Sequence, residues 1–409
     1  MPVSPPSICL VTAGHIASTP RLVKEADALQ SAGYAVRVVA SDHFGPVRPL
    51  DAAVLATARW RHERIGLGSP PVYVARRFAR NLARRALRRQ ARPTARLAQW
   101  ALVPDAAALA RAASREPADL YLGHGVGGLV AAGLAAAFRG ARLGFDAEDF
   151  HRLELSDTPQ RAVVALEDRW LPRCAHLTAA SPLIATAYAD TYGRRAPVVV
   201  LNVFPLAEGP GTPSPAARAG GVPTLYWFSQ TIGPGRGLEA IVNAIGRSGG
   251  ALHLHLRGIP ANGFRESLAA MARRHGCPNA LHWHDSAPPR EMAPLASRHD
   301  IGLATELSTP PNRALCLTNK IFTYLLAGTP VLLSDTPAHR AFAPELAGAA
   351  AIARLESSEE LAAAFQRLLE PAARAAAWRL GRDRFNWERE QATFLAAIGA
   401  ALSPPPGTR

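Results

Sequence analysis

The segment from Thr318 to Asp335, TNKIFTYLLAGTPVLLSD, constrains the fold more than any other part of the chain. Apolar residues recur at helical spacing in IFTYLL, and Gly328 follows at a place where glycine commonly ends a helix. The short apolar run Val331 to Leu333 comes next and stops at polar residues. This order predicts one half of a βαβ unit. Asn319 and Lys320 fall at the helix start, where free N–H groups and the helix dipole favour anions, so we predict a diphosphate-binding position there.

Length and composition set the class of protein. A chain of 409 residues with 48% hydrophobic content suits two domains of ordinary size. No apolar run reaches the roughly 18–20 residues that span a bilayer. The N-terminal MPVSPPSICLV lacks a basic leader and predicts a first strand, not a signal peptide. The four cysteines lie far apart without a CxxC pair, which argues against a disulfide framework or a zinc site and favours a reducing cytoplasm.

Strand and helix patterns alternate in two successive series, the first from Ile8 to Leu201 and the second from Thr224 to Leu333. Residues 202–223 between them are rich in Pro, Gly, Ala and Ser, which is typical of a linker. Two such series predict an α/β protein with two doubly wound, Rossmann-like parallel sheets. We expect domains at 1–203 and 223–375, a linker at 204–222, and a C-terminal helix and tail at 376–409. Because ligands of such sheets bind at the carboxyl ends of the strands, the cleft between the domains is the predicted site.

Six segments follow one another in the order and spacing of a known family. They are STPRLVKEADALQSAGYAVRVVAS (18–41), ADLYLGHG (118–125), GFDAED (144–149), VVVLNVF (198–204), YWFSQTIGPGRGLEAIVNAI (226–245) and NKIFTYLLAGTPVLLSD (319–335). The last segment is the most specific of them. Together they resemble the glycosyltransferases of the GT-B fold, and most of all glycosyltransferase family 4. The resemblance runs almost from end to end.

The resemblance implies a retaining enzyme that moves a sugar from a nucleotide-sugar donor to a carbohydrate, lipid-linked or other cell-envelope acceptor. It implies an acceptor domain at 1–203 and a donor domain at 223–375 that face a cleft, with the C-terminal helix packing back toward the N-terminal domain. It implies no metal and no cofactor, because cationic side chains and N–H groups stabilise the diphosphate leaving group. A role in polysaccharide biosynthesis would place the protein in the cytoplasm, peripherally at the inner face of the cell membrane.

The candidate donor-binding residues occur in both series: Gly14, Gln230, Arg236, Gly237, Asn319, Lys320 and Thr323. Arg236 begins a helix after the glycine-rich GPGRG, where flexible backbone can approach phosphate, although a solvated arginine in a turn would look the same. A lysine near a helix N-terminus gains nothing from the helix dipole, which favours a functional role for Lys320 over that of an ordinary surface lysine.

The chain departs from the family pattern of two donor-side glutamates eight positions apart. The second falls at Thr323, and threonine cannot make a carboxylate's paired hydrogen bonds to a ribose diol. The first falls at Leu315, so Glu306 could replace it only with a rearranged loop from 307 to 315. Gln230 stands where the family often has a cation. These departures keep a second hypothesis open, a glycosyltransferase-like binding scaffold that has lost catalysis.

The candidate catalytic residues are His124, Asp146 and Glu306, and the acceptor-side candidates are Arg21, Glu148 and Asp149. His124 ends one strand and Asp146 ends the next, where their side chains could orient an acceptor hydroxyl. The alternative is a packed or solvated histidine beside an acidic loop that pairs with Arg152. For Glu306, a sugar or ribose contact competes with a loop carboxylate that balances Arg313.

A third hypothesis comes from residues 123–128, GHGVGG, which satisfy GxGxxG after a strand and before a helix. With Asp146 about twenty residues further on, the motif alone predicts an NAD(P)-dependent Rossmann oxidoreductase. Its place in a middle βα unit argues against that function, because the fingerprint normally opens the first unit.

The segment Arg76 to Arg96 carries nine arginines and no acid, with Val74, Phe78 and Leu82 at helical spacing. A basic amphipathic helix predicts contact with an anionic membrane surface, at about 1 kcal/mol per cation near the lipid. A solvated surface helix is the alternative. We expect no nucleic acid partner, because aromatic residues are sparse in this segment.

Overall fold

The computed structural model describes residues 5–66, 68–154, 157–213 and 221–403. The chain divides into two compact units, Met1–Val200 with Gln391–Arg409, and Leu201–Glu390. Residues 1–4, the part of the expected linker from 214 to 220, and the tail from 404 to 409 lie outside the described residues.

The first unit contains a parallel sheet with helices around it. Its strands are β1 (Ser7–Thr12), β2 (Ala35–Asp42), β3 (Arg61–Gly66), β4 (Leu120–His124), β5 (Arg142–Ala147), β6 (Cys174–Ala179) and β7 (Val198–Val199). Its helices are α1 (Pro20–Ser31), α2 (Arg48–Leu55), α3 (Pro70–Arg88), α4 (Ala95–Leu102), α5 (Ala106–Ala113), α6 (Gly125–Arg139), α7 (Asp157–Trp170) and α8 (Pro182–Tyr192). The strand order is β3-β2-β1-β4-β5-β6-β7, so the winding direction reverses between β1 and β4.

The second unit repeats this winding. Its strands are β8 (Thr224–Ile232), β9 (His253–Pro260), β10 (Leu281–His284), β11 (Ile301–Ala304), β12 (Val331–Ser334) and β13 (Ala350–Ala353), in the order β10-β9-β8-β11-β12-β13. Its helices are α9 (Leu238–Arg247), α10 (Phe264–Arg274), α11 (Met292–Ala296), α12 (Asn319–Ala327), α13 (Pro337–Phe342), α14 (Ser358–Leu369) and α15 (Pro371–Asp383). The reversal here lies between β8 and β11. Both units therefore have the doubly wound topology expected from the sequence.

The final helix, α16 (Trp387–Leu402), starts in the second unit, and its residues from Gln391 onward belong to the first. Phe394 is fully buried and packs edge-on against His176 of β6, with 6.1 Å between the ring centroids. The C-terminal helix therefore packs back onto the N-terminal unit, as predicted.

One aromatic side chain, Tyr324, helps to hold helix α12 on its sheet. Tyr324 lies over Gly302 of β11, where any added Cβ would collide with the tyrosine ring. Its hydroxyl donates to the carbonyl of Tyr226 at 2.9 Å, from a fully buried position. Tyr324 therefore fixes α12 relative to β8 and β11, and with it the position of Lys320 in the first turn of the helix.

The glycines of the GxGxxG motif have a packing role. Helix α6 begins directly after β4 and lies so close to the sheet that a Cβ at Gly123 would be 2.6 Å from the backbone of Gly128. A Cβ at Gly128 would overlap the carbonyl oxygen of Val11 in β1. Close packing between helix and sheet therefore explains these two glycines without a bound dinucleotide.

Replacing Gly128 with alanine is expected to destabilise the first unit by about 1–3 kcal/mol or more, because the added methyl group meets rigid backbone. Urea unfolding measures the effect. Gly399→Ala in α16 is the matched control, since nothing lies within 4 Å of its added Cβ. Equal stability of the two variants would contradict the packing role.

The structure differs from the sequence-based predictions in three respects. Strands β3 and β13 were not predicted, because RHERIG is mostly polar and AAIA is mostly alanine. The basic segment is not one helix, since α3 ends at Arg88 and α4 begins at Ala95. The last strand of the first series, which was expected to end at Leu201, is reduced to Val198–Val199. Among the described residues, no helix combines the length and the apolar character needed to cross a bilayer.

Candidate active site

The candidate donor site lies where the winding of the second sheet reverses. Arg236 precedes α9 in the loop after β8, and Glu306 follows β11 by two residues. Because β8 and β11 are parallel neighbours, both loops leave the same edge of the sheet. Lys320 reaches this edge from the first turn of α12. This is the edge at which doubly wound sheets bind ligands.

Two cations share one carboxylate at this edge. The Lys320 ammonium lies 2.9 Å from Oε1 of Glu306, and the Arg236 guanidinium lies 2.9 Å from Oε2. Lys320 is 6% exposed, whereas the Arg236 side chain is 31% exposed. The structure therefore brings together three residues that the sequence analysis selected separately, and it leaves the guanidinium accessible to a ligand.

The group carries a net positive charge. Burial alone would raise the pKa of the Glu306 carboxyl, but Lys320 and then Arg236 lower it to about 2. Glu306 is therefore ionised at neutral pH and neutralises one of the two cations. The remaining charge attracts an anion, and the carboxylate holds both cationic side chains in fixed positions.

Three further side chains support this group, and two of them, Thr305 and Trp227, were not singled out from the sequence. The hydroxyl of Thr305 donates to the carbonyl of Arg236 at 2.7 Å, and the Arg313 guanidinium donates to the carbonyl of Gly235 at 3.2 Å. The Lys320 ammonium lies 5.3 Å from the ring centre of Trp227, within the range of a cation–π contact. Arg313 therefore stabilises the glycine-rich loop and does not balance Glu306.

The other donor-side candidates have different environments. Gly237 has a φ of +71°, and an added Cβ would lie 2.5 Å from Leu355, so both backbone and packing require glycine there. Gln230 and Asn319 are exposed. Thr323 is buried, and its hydroxyl donates to the carbonyl of Asn319 at 3.2 Å. The hydroxyl of Thr323 is therefore engaged within α12.

In the first unit, a buried ion pair joins α1 to β5. The Arg21 guanidinium donates to both carboxylate oxygens of Asp146, at 2.5 and 2.8 Å, and to the carbonyl of Val200 at 2.7 Å. The Thr178 hydroxyl donates to Asp146 at 2.6 Å. Burial would raise the pKa of Asp146, but Arg21 and His124 lower it to about 2. Asp146 is therefore an ionised carboxylate with tightly bound partners.

Glu25 completes this cluster, and the sequence analysis did not identify it. Its carboxylate lies 3.3 Å from Nε2 of His124 and 3.3 Å from the Arg21 guanidinium. Burial and then Asp146 raise the pKa of Glu25. Burial lowers the pKa of His124, but Glu25 and Asp146 outweigh that effect and raise it. The i, i+4 spacing of Arg21 and Glu25 on α1 was a sequence signal for this pair.

This cluster differs from the expected acceptor site. The side chains of Arg21, Glu25, His124 and Asp146 are at most 1% exposed, so the expectation that His124 and Asp146 face an acceptor does not match their burial. Ligand atoms of Glu25, His124 and Asp146 lie within 4.8 Å of one another, as in a metal site, but Arg21 supplies the positive charge there. The cluster couples α1, β4 and β5.

The remaining acceptor-side candidates, Glu148 and Asp149, are partly exposed, and so is the donor-binding candidate Gly14. Glu148 and Asp149 follow β5, and burial and then Asp146 raise the pKa of Glu148. Gly14 follows β1, and its N–H donates to the Thr12 hydroxyl at 3.1 Å. An added Cβ at Gly14 would make ordinary contacts, so packing does not require glycine at this position.

A cavity of about 320 Å³ opens in the first unit beside the carboxyl ends of β1 and β2. Three arginines of α3 line it, Arg76, Arg77 and Arg80, together with aromatic and polar side chains that include Tyr73 and His43. One of these cations, Arg76, pairs with Asp105 at 3.0 Å. The cavity therefore has an excess of positive charge, and the sequence analysis had assigned its arginines to a membrane-facing surface.

The fold is that of known glycosyltransferases. The chain is similar to Anabaena HepE in complex with UDP (16% identity, TM-score 0.69, 96% of this chain and 100% of the other) and in complex with UDP and glucose (17%, 0.68, 96% and 99%). It is also similar to a glycosyltransferase from Rickettsia africae, with 11% identity and a TM-score of 0.70 over 98% of this chain and 100% of the other. The chain is similar as well to an α,α-trehalose-phosphate synthase (UDP-forming) from Burkholderia vietnamiensis, with 15% identity and a TM-score of 0.64 over 98% of this chain and 99% of the other.

No protein-family model matches the chain, and no curated protein matches it in sequence. At these low sequence identities, the similarity to the solved structures establishes the fold only. The reaction is inferred from the geometry of the site. On this evidence, the two doubly wound sheets of the chain form the GT-B fold.

Proposed function

We propose that the protein is a glycosyltransferase that moves a sugar from a nucleotide-sugar donor to an acceptor hydroxyl. The observation that carries this proposal is the pair of cations, Arg236 and Lys320, held by Glu306 at the edge of the sheet where its winding reverses. A diphosphate is the ligand that fits a net positive group beside the N-terminus of α12.

The proposed chemistry is electrostatic. When the bond between the anomeric carbon and the diphosphate breaks, negative charge develops on the leaving group, and cations already in position stabilise it. Lys320 and Arg236 have that role, and this step needs no metal or cofactor. Each oxygen of Glu306 accepts one bond from a cation, which leaves further lone pairs for a sugar hydroxyl.

For the donor we propose a uridine diphosphate sugar. HepE is described in complex with UDP and with UDP and glucose, and the Burkholderia enzyme is described as UDP-forming. Membership of glycosyltransferase family 4 and retention of configuration belong to the same proposal and rest on the sequence resemblance. Thr323 replaces the usual ribose-binding carboxylate, so we expect ribose to be held through other groups.

For the acceptor we propose an amphiphile with an anionic group, such as a lipid-linked carbohydrate. The arginine-lined cavity of the first unit supports this proposal, because guanidinium groups bind phosphate through paired N–H donors. We assign His124, Asp146, Arg21 and Glu25 a positioning role, since their buried charges hold α1 and the strand ends that carry the nearby loops.

Turnover of a panel of UDP-, GDP- and ADP-sugars tests the proposed function. We expect slow hydrolysis of at least one UDP-sugar in the absence of acceptor, and thermal stabilisation by UDP. Stabilisation by UDP without any turnover would support the catalytically impaired scaffold. Stabilisation by NAD(P) in place of UDP would support the oxidoreductase hypothesis.

We further propose that α3 contacts an anionic membrane surface in the cytoplasm. Val74, Phe78 and Leu82 are 63%, 70% and 58% exposed, at successive turns of one helix face. The opposite face packs into the unit through Ala83 and Leu87, which are buried. An exposed apolar stripe flanked by arginines is the pattern of an interfacial helix.

The double variant Phe78→Ser/Leu82→Ser is expected to reduce binding to vesicles of phosphatidylglycerol and phosphatidylcholine at least tenfold, because it removes the apolar contact and keeps the arginines. Co-sedimentation measures the bound fraction, and binding should fall as salt rises. The matched control is Phe138→Ser on α6, which is 75% exposed outside the basic segment. Equal losses of vesicle binding in the two variants would show that α3 does not contact the membrane.

A further inference from the structure

A patch of imidazoles covers one face of the second sheet near its β10 edge. It consists of His253 and His255 of β9, His282 and His284 of β10, and His299, which precedes β11. Alternate residues of a strand point to the same face, so each strand contributes two imidazoles to this patch. The intervening Leu254 and Leu256 of β9 lie in the buried core on the other face. We call these five residues the histidine patch.

The imidazoles are in direct contact across the two strands. Nδ1 of His255 lies 2.9 Å from Nε2 of His284, and Nδ1 of His253 lies 2.9 Å from Nε2 of His282. The parallel register places His255 beside His282, and their rings stack with 4.4 Å between centroids. The patch therefore contains two pairs of facing ring nitrogens that repeat along the strands.

His299 extends the patch toward the centre of the sheet. Its ring stacks on Tyr226 with centroids 4.4 Å apart, and it lies 4.6 Å from the ring of His255. Its Nδ1 is buried and has no hydrogen-bond partner among the described residues. A buried polar atom without a partner is costly, and it points to a ligand that the nitrogen could bind.

Paired imidazole nitrogens at this separation suit one metal ion. Two nitrogens bound to the same ion at roughly 2.0–2.1 Å lie about 2.8–3.4 Å apart, depending on whether the geometry is square-planar or tetrahedral. The observed 2.9 Å falls in that range. When both rings of such a pair are neutral, one of the two facing nitrogens carries a proton, and a change of tautomer moves that proton to the other nitrogen of the same ring. Both facing lone pairs then become available without loss of a proton from the pair.

We propose that the histidine patch binds a divalent transition-metal ion of the class Cu²⁺, Ni²⁺ or Zn²⁺ through its facing imidazole nitrogens. The ion bridges β9 and β10, and water completes its coordination. The two pairs lie close together, so repulsion between dications makes the first equivalent bind more tightly than a second.

The surroundings of three imidazoles in the patch disfavour their charged form. Burial and then the neighbouring imidazoles lower the pKa of His255 to about 4. Burial also lowers the pKa of His282 and, together with Arg257, that of His284. These imidazoles are therefore neutral at pH 7, which is the form that binds metal ions.

The site is independent of the proposed transferase reaction, because none of its residues belongs to the group of Arg236, Glu306 and Lys320. An ion that joins β9 to β10 would hold the edge strand on the sheet. Metal binding can therefore be measured as an increase in the stability of the protein, separately from the transferase reaction.

Equilibrium dialysis of the untagged full chain against micromolar Cu²⁺, Ni²⁺ or Zn²⁺ tests the proposal. We expect one tightly bound equivalent of at least one of these metals and a rise in melting temperature on its addition. The double variant His253→Gln/His284→Gln breaks both pairs and should lose both effects. His275→Gln, which removes an exposed imidazole from the same unit, should keep them.

Electron paramagnetic resonance of the Cu²⁺-loaded wild type gives a second readout, which stays informative if the double variant fails to fold. We expect hyperfine coupling to at least two imidazole nitrogens. Absence of a bound equivalent in dialysis, equal binding by the folded double variant, or a spectrum without nitrogen coupling would each overturn the proposal.

Discussion

Replacing Lys320 with methionine is expected to lower kcat/KM for the nucleotide-sugar donor by about 10²–10³-fold, because the variant removes one preset cation from the leaving group. Methionine keeps most of the buried apolar stem of Lys320 and its packing near Trp227. Arg236 still pairs with Glu306 in this variant, so the carboxylate keeps one partner. The loss should therefore come from the reaction and not from unfolding.

The matched control for Lys320→Met is Arg274→Ala on α10, which removes one exposed positive charge from the same unit. Its kcat/KM should stay within about twofold of the wild-type value, because exposed charges far from the ligand are screened. Donor turnover with saturating and subsaturating donor separates kcat from KM. Similar rates for wild type and Lys320→Met would show that Lys320 does not stabilise the leaving group.

The second large effect is expected in the first unit, where Asp146→Ala should destabilise the fold by about 3–5 kcal/mol. The variant leaves the buried Arg21 guanidinium without its bidentate partner, and the Thr178 hydroxyl without its acceptor. Urea unfolding, with hydrogen exchange at the amides of β4 and β5, measures the loss. Asp190→Ala on α8 is the control, since Asp190 is exposed.

The effect of Asp146 should depend on pH in a defined direction. The folded protein lowers the pKa of Asp146 from 3.8 to about 2, so the stabilisation is present in full above the unfolded value and is lost as pH falls toward 2. The stability difference between wild type and Asp146→Ala should therefore narrow below about pH 4, as Asp146 of the wild type becomes protonated. A gap that does not narrow between about pH 4 and pH 2 would contradict the assignment of Asp146 as an ionised partner of Arg21.

Much of the donor side could be predicted from local sequence rules. The glycine cap at Gly328 and the buried run after it fixed α12 and β12, and therefore the place of Lys320. Arg236 was found from its glycine-rich loop. The ion pairs of both residues with Glu306 depend on the pairing of β8 with β11 and on the loop after β11, which no local pattern specifies.

The buried cluster of the first unit was harder to predict. Glu25 looks like a surface residue of an amphipathic helix, and only the three-dimensional fold brings it to His124 from β4. Buried charges run against the usual hydrophobic pattern, so the sequence analysis placed His124 and Asp146 at an exposed edge. For the histidine patch a signal was present, since HLH and HWH alternate imidazoles with apolar residues at the period of a strand.

Calorimetric titration of UDP into the wild type and into the double variant Arg236→Ala/Lys320→Met tests most directly whether these two cations bind the diphosphate. We expect one UDP per wild-type chain and at least a hundredfold weaker binding by the double variant, provided that its unfolding curve shows a folded protein. If the folded double variant binds UDP with wild-type affinity, or if the wild type binds no nucleoside diphosphate at all, the proposed donor site is wrong.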